Sequence, residues 1–269
     1  MKISKADATV AVLKKFIHSP GDDMRDFEVD LLAFGSHPDD VEIACGGTIA
    51  KLVREGFACA IVDMSLGELG TRGTPEVRLQ EAEEARNVLG AQFRENLKLP
   101  DGFTSPTKEA ILETIRVLRK YRPKMVLFSS AFERHPDHEA LHKIVRRAMF
   151  LSGLRKIETF EFGKPQEPWR IRKMYCYMQS YPFPKEPSFY VDITDVYDVK
   201  MQAIKCYSSQ VFVEGKSNPA EPTTRLSRPE FFDELEARAR YFGTLVGLKY
   251  AEAFLSVEPL GIASLSKLL

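Results

Sequence analysis

Short continuous apolar runs alternate along this chain with longer stretches whose apolar residues recur every three or four positions. The runs at 29–36, 58–64 and 125–129 have the length and composition of strands buried on both faces. The stretches between them predict amphipathic helices at 41–55, closed by Gly56, at 75–89, with Pro75 in the first turn and Gly90 just beyond, and at 108–121, stopped before Pro123. A short strand is expected at 96–99, and a further helix from His138 or Glu139 to about Leu151. Beyond it the pattern is more mixed, with strands at 172–178 and 189–193, helices at 196–206 and 229–245, and a polar segment at 215–222 with the composition of a loop. Alternation of this kind predicts an α/β fold with a mostly parallel sheet and helices on both faces. Residues 1–26 read as an N-terminal appendage, with a helix pattern near 7–17 ended by Ser19-Pro20-Gly21, and residues 27–269 as one domain.

Two polar clusters interrupt this pattern at equivalent places. His37-Pro38-Asp39-Asp40 follows the first buried strand, and Arg134-His135-Pro136-Asp137-His138 follows the strand at 125–129. Parallel strands point their carboxyl ends at a common crevice, so both clusters open onto it. Hydrolytic zinc sites recurrently use two histidines and one carboxylate, a set that His37, His138 and Asp40 supply. Asp39 is then an unliganded carboxylate able to take a proton from water, and His135 is left to meet developing negative charge. Each cluster alone also suits a helix cap or a surface turn. The pair favours a metal site, because four of the five histidines lie in these two segments or just beyond them.

Charge and composition narrow the partners. The 38 basic and 38 acidic side chains leave no net basic field to attract nucleic acid or an anionic membrane. No stretch approaches the ~18 apolar residues of a membrane span, and no signal-peptide pattern opens the chain, so the cytoplasm is the expected compartment. Cys45, Cys59, Cys176 and Cys206 lack CxxC spacing and read as reduced, packed thiols. The first strand-to-helix turn also lacks the glycines of a dinucleotide site, and its two carboxylates would repel a phosphate. Cys45-Gly46-Gly47-Thr48 therefore reads as a place of close helix packing.

Segment 34–42 with Gly46-Gly47-Thr48, joined to Arg134–His138, resembles the PIG-L/LmbE-like zinc deacetylases. Gly67–Thr74, Arg78–Ala82, Asn96–Asp101 and Tyr207–Gln210 resemble most the N-acetylglucosaminyl-malate deacetylases of bacillithiol biosynthesis. The resemblance implies a Rossmann-like fold, zinc on His37, Asp40 and His138, Asp39 as general base and His135 as oxyanion stabiliser. It further implies that Asp137 orients a histidine, and that Arg78 and, secondarily, Arg72 bind substrate. Fe(II) also suits two histidines and one carboxylate. The expected reaction is hydrolysis of the N-acetyl group of N-acetylglucosaminyl L-malate. The alternatives are a deacetylase of another N-acetyl amino-sugar conjugate and a noncatalytic sugar- or metal-binding module. A homo-oligomer is a further expectation of the resemblance. The chain departs from the family pattern in the N-terminal appendage and in segment 223–229, which holds no tyrosine where some relatives place one near the metal.

Overall fold

The first strand, β1 (Leu31–Gly35), is fully buried because its alternate side chains feed two different cores. Leu32 and Phe34 pack on one side of the sheet, Leu31 and Ala33 on the other. Such double coverage is why the run is continuously apolar and not alternating. The computed structural model that shows this describes residues 27–215, 217, 220–262 and 264. The helix expected near 7–17 lies outside the described residues.

From β1 the chain runs through α1 (Asp40–Arg54), β2 (Cys59–Asp63), α2 (Pro75–Leu89), β3 (Phe93–Asn96), α3 (Lys108–Tyr121), β4 (Met125–Ser129) and α4 (Pro136–Leu151). A hairpin of two-residue strands follows, β5 (Phe160–Glu161) with β6 (Lys164–Pro165). Then come β7 (Lys173–Tyr177), β8 (Phe189–Asp192), α5 (Tyr197–Lys205), α6 (Glu230–Leu245) and β9 (Ala251–Ser256). The main sheet has the order β3-β2-β1-β4-β7-β9-β8. The pairs from β3 through β7 are parallel, whereas β9 pairs antiparallel with both β7 and β8. α3 and α4 cover one face and α1, α2 and α5 the other, which is the mostly parallel, doubly covered sheet expected. None of the described helices is long and apolar enough to cross a membrane.

The local expectations shift in three places. The strand expected at 96–99 is β3 at Phe93–Asn96, because Lys98 adopts a positive φ of 55° that ends the extended run, although Leu97 and Leu99 still donate to Asp63 and Met64. The fourth helix starts at Pro136, with His135 as its N-cap, since proline suits a first helical turn. β9 is a strand that the apolar pattern does not predict. Its sequence, Ala-Glu-Ala-Phe-Leu-Ser, places a carboxylate in the middle of a buried strand and so hides that pattern.

That carboxylate serves a break in α1. Cys45 departs from helical geometry (φ −140°, ψ 19°), which frees the amides of Gly47 and Thr48. Glu252 accepts both, at 3.0 and 2.7 Å, and is neutralised by Lys200. A Cβ on Gly47 would stand 2.8 Å from Ile193, so Gly47 permits the close packing expected, whereas one on Gly46 would meet Leu89 and Lys200 at an ordinary 3.6 Å.

The strand order reverses direction at β1, whose neighbours are β2 on one side and β4 on the other. This is the switch point at which α/β sheets bind ligands, and both polar clusters emerge there.

Candidate active site

Asp40 opens α1 and is held from three directions. Its Oδ2 accepts the Ser36 and His37 amides at 3.0 and 2.9 Å, while its Oδ1 accepts the Gln179 side-chain amide at 2.8 Å. The same Oδ2 lies 3.4 Å from His37 Nδ1 and 3.2 Å from His138 Nε2. The edge of a tetrahedron with zinc–nitrogen and zinc–oxygen bonds is about 3.3 Å, so these separations suit three ligands of one small divalent cation. The donor chemistry fits as well, since His37, Asp40 and His138 can bring their ligand atoms within 4.8 Å of one another.

The remaining nitrogen of His37 is also fixed. Nε2 lies 2.9 Å from Asp101 Oδ1 and 3.4 Å from Asp137 Oδ2, which leaves Nδ1 turned toward Asp40. A carboxylate behind a ligating imidazole sets its tautomer and raises its basicity. Asp101 is therefore the nearer orienting partner, and Asp137, expected in that role, stands slightly farther away while accepting the Gly102 amide at 2.7 Å. Burial disfavours charge on His37, but Asp101, Asp137 and Asp40 together hold its pKa well above the ordinary histidine value. Three carboxylates converging on one imidazole make a site that demands positive charge.

Asp39 sits beside this set in a strained backbone, with φ 117° and ψ −29°, a region non-glycine residues seldom enter. Arg78 holds it there. Its Nη2 donates 2.7 Å to Pro38 O and 3.1 Å to Asp39 Oδ2. Gly67 makes room for that guanidinium, because a Cβ at this position would stand 2.0 Å from Arg78 Nη1. Burial pushes the Asp39 carboxyl up to about 7 against the opposing pull of Arg78.

His135 caps α4 by accepting the Asp137 amide through Nδ1 at 3.2 Å, so its proton resides on Nε2. Its ring centroid is 4.8 Å from that of His37 and 5.3 Å from that of His138. Burial, and then the neighbouring histidines, lower its pKa. It stands at the site as a neutral N–H donor.

A family model described as PIG-L, GlcNAc-PI de-N-acetylase, matches residues 32–149, the span from β1 through most of α4. Over that span the chain is similar to the PIG-L deacetylases. It is 29% identical to a diacetylchitobiose deacetylase of Thermococcus kodakarensis, over 91% of this chain and 89% of that protein. It is 26% identical to a 1D-myo-inositol 2-acetamido-2-deoxy-alpha-D-glucopyranoside deacetylase of Nocardiopsis dassonvillei, over 67% of this chain and 84% of the relative. Among solved structures it resembles a conserved protein of Thermus thermophilus with a TM-score of 0.76 and 36% identity, covering 87% of this chain and 97% of that one.

The site lies in a cleft of about 400 Å³. His37, Asp39, Asp40, His135, His138 and Arg78 line it; Asp137 stands behind them, against His37. Arg72 does not line it. That guanidinium is buried away from the cleft and donates to the carbonyls of Ser209, Glu221 and Pro222 while pairing with the Glu221 carboxylate. It straps the segment after α5 to the loop before α2, with Gln210 returning a bond to the Arg72 carbonyl. Asp101, Gln179 and Arg238 also line the cleft, and the residue pattern did not nominate them. Asp101 carried one signal, its place in the Asn96–Asp101 motif. Gln179 and Arg238 carried none, because their neighbours come from distant segments.

Proposed function

We propose that this protein is a metal-dependent amidohydrolase that removes the N-acetyl group of an N-acetylglucosaminyl conjugate, with N-acetylglucosaminyl L-malate of bacillithiol biosynthesis as its substrate. The observation that carries the hydrolytic reading is Asp39: an unliganded, buried carboxylate locked by Arg78 in a strained backbone beside His37, Asp40 and His138. A binding module has little use for such a group, whereas a hydrolase needs a base whose pKa lies near the working pH.

His37, Asp40 and His138 would hold the cation, zinc or Fe(II), which when bound supplies Lewis-acid activation of water and of the amide carbonyl. The rest belongs to the chain. Asp39 takes the proton of the attacking water, and Arg78 keeps its carboxylate aimed at the cleft. His135 Nε2–H donates to the oxyanion that develops on the carbonyl oxygen, a contact whose removal costs on the order of 10²–10³ in turnover. Asp39 then returns its proton to the departing amine, so that acetate and a free glucosaminyl amine result.

The malate assignment is supported by the motifs at Gly67–Thr74, Arg78–Ala82, Asn96–Asp101 and Tyr207–Gln210, which supply Leu69, Gly70, Thr71, Arg78, Asp101 and Gln210 to the cleft. The second reading is a deacetylase of another N-acetyl amino sugar, favoured by the diacetylchitobiose deacetylase relative that aligns over most of the chain. Acetate release from both compounds by metal-replete protein decides between them. The malate conjugate is expected to be the better substrate by kcat/KM. Loss of all release on chelation and in Asp39→Asn is the second expected result, and turnover in Asp39→Asn at the native rate would remove the mechanism.

A further inference from the structure

The two sides of the cleft treat their charges differently. On the side of α1 and α2, Arg78 is spent on Asp39, and Arg72 lies outside the cleft altogether. Arg238 of α6 also lines the cleft, and donates Nη1 to Gln179 O at 2.7 Å and Nη2 to Ile43 O of α1 at 3.0 Å. Both acceptors are neutral carbonyls. Among the described residues no carboxylate lies within ion-pair distance of Arg238.

The acidic groups that act on Arg238 from its surroundings are already committed. Glu252 is taken by Lys200, Thr48 and the Gly47 and Thr48 amides. Glu133 is taken by the amides of Gln179, Ser180, Tyr181 and Arg134. Burial draws the Arg238 pKa below the ordinary arginine value, and nearby Arg225 lowers it further. Arg238 is half-buried, and a partly desolvated cation without a counter-ion is an arrangement that an incoming anion relieves.

Two more arginines line the cleft. Arg225 is paired to Glu234, which also binds Arg228. Arg134 is exposed and has no carboxylate partner among the described residues. The N-acetylglucosamine ring carries no charge for these groups to meet.

We propose that Arg238, with Arg225 near it and Arg134 on the same cleft, forms an anion subsite, and that the substrate is an N-acetylglucosaminide whose aglycone carries a carboxylate or a phosphate. The inference rests on the deacetylase reading and adds where the aglycone is recognised. A guanidinium with two donors engaged retains N–H groups for a planar carboxylate or a phosphate oxygen pair. Gln179 links the subsite to the chemistry, since the residue whose carbonyl accepts from Arg238 holds Asp40 by its side chain.

The test compares kcat/KM for N-acetylglucosaminyl malate, N-acetylglucosamine 1-phosphate and N,N′-diacetylchitobiose in the wild type, Arg238→Gln, Arg238→Lys and Arg225→Gln. In Arg238→Gln the ratio of anionic to neutral kcat/KM should fall by about tenfold or more, through KM. Arg238→Lys should recover part of that ratio, and Arg225→Gln should lower it by a smaller factor. In the wild type, added NaCl should raise KM for the anionic conjugates and not for the disaccharide. Whichever of the malate and phosphate compounds depends more on Arg238 identifies the anion. An equal fall for all three substrates, or a KM insensitive to salt, overturns the subsite. Calorimetric binding of glucosaminyl malate separates this outcome from failure of the deacetylase reading. If no compound releases acetate, that reading falls, while a dissociation constant about tenfold weaker in Arg238→Gln sustains the subsite and an unchanged one overturns it.

Discussion

The wall built from the β1–α1 turn, α2 and the loop after β3 differs from the wall built from the end of β7 and from α6. On the first, each charge has an opposite charge beside it: Arg78 with Asp39, Asp101 and Asp137 with His37. On the second, hydrogen-bonding capacity is left over. Gln179 is buried, its amide nitrogen is committed to Asp40, and its Oε1 has no partner. Arg238 next to it has no carboxylate among the described residues. Asp40 is ionised and accepts only, so the orientation of the Gln179 amide is fixed and its oxygen is the group left over. The contrast is one of charge: Arg78 and His37 are paired with carboxylates before any substrate arrives, whereas Arg238 has none among the described residues and, under the proposed anion subsite, is met by the substrate.

The sharpest test of that contrast is Asp39→Asn, which should lower kcat on the order of 10³ for every substrate alike while the metal content, read by plasma emission, stays near that of the wild type. A substrate-selective loss would break the comparison. Asp101→Asn comes next. It weakens the partner behind His37, so metal affinity should fall about ten- to hundredfold in a chelator competition, again without regard to the aglycone. Gln179→Leu belongs to both walls. Loss of its bond to Asp40 should cost about tenfold in kcat/KM. The effect should be larger on substrates that offer a donor to Oε1, seen by comparing deoxy-sugar analogues. The smallest effect is expected from Arg72→Gln. It should lower the melting temperature by loosening the strap to Glu221 and Pro222, and change kcat/KM by about threefold or less, equally for anionic and neutral substrates. A selective loss there would return Arg72 to the substrate and blur the boundary between walls.

Much of the first wall is legible in the chain. His37-Pro38-Asp39-Asp40 and His135–His138 each lie within one strand-to-helix turn, where local pattern fixes both the element and the place of the side chains on it. The strands β1, β2 and β4 announce themselves by continuous apolar runs, and the helices by Pro75, Gly90 and Pro123, whereas β3, Phe-Arg-Glu-Asn, has no such run. Arg72 and Arg78 are both substrate candidates at that level, because sequence shows a charge but not its partner. Only the fold reveals that one straps a loop and the other holds Asp39.

What the sequence determined by itself was whatever local periodicity and turn chemistry control: the order of strands and helices in the parallel half and the two clusters that meet at its switch point. Tertiary structure decided the rest. β9 is hidden by Glu252, whose burial makes sense only beside Lys200 and the break at Cys45. Asp101, Gln179 and Arg238 acquire their roles from His37, Asp40 and Ile43, residues far from them in the chain. The free energy of such contacts depends on what the folded molecule brings within hydrogen-bonding distance and shields from water, and no spacing along the chain encodes that.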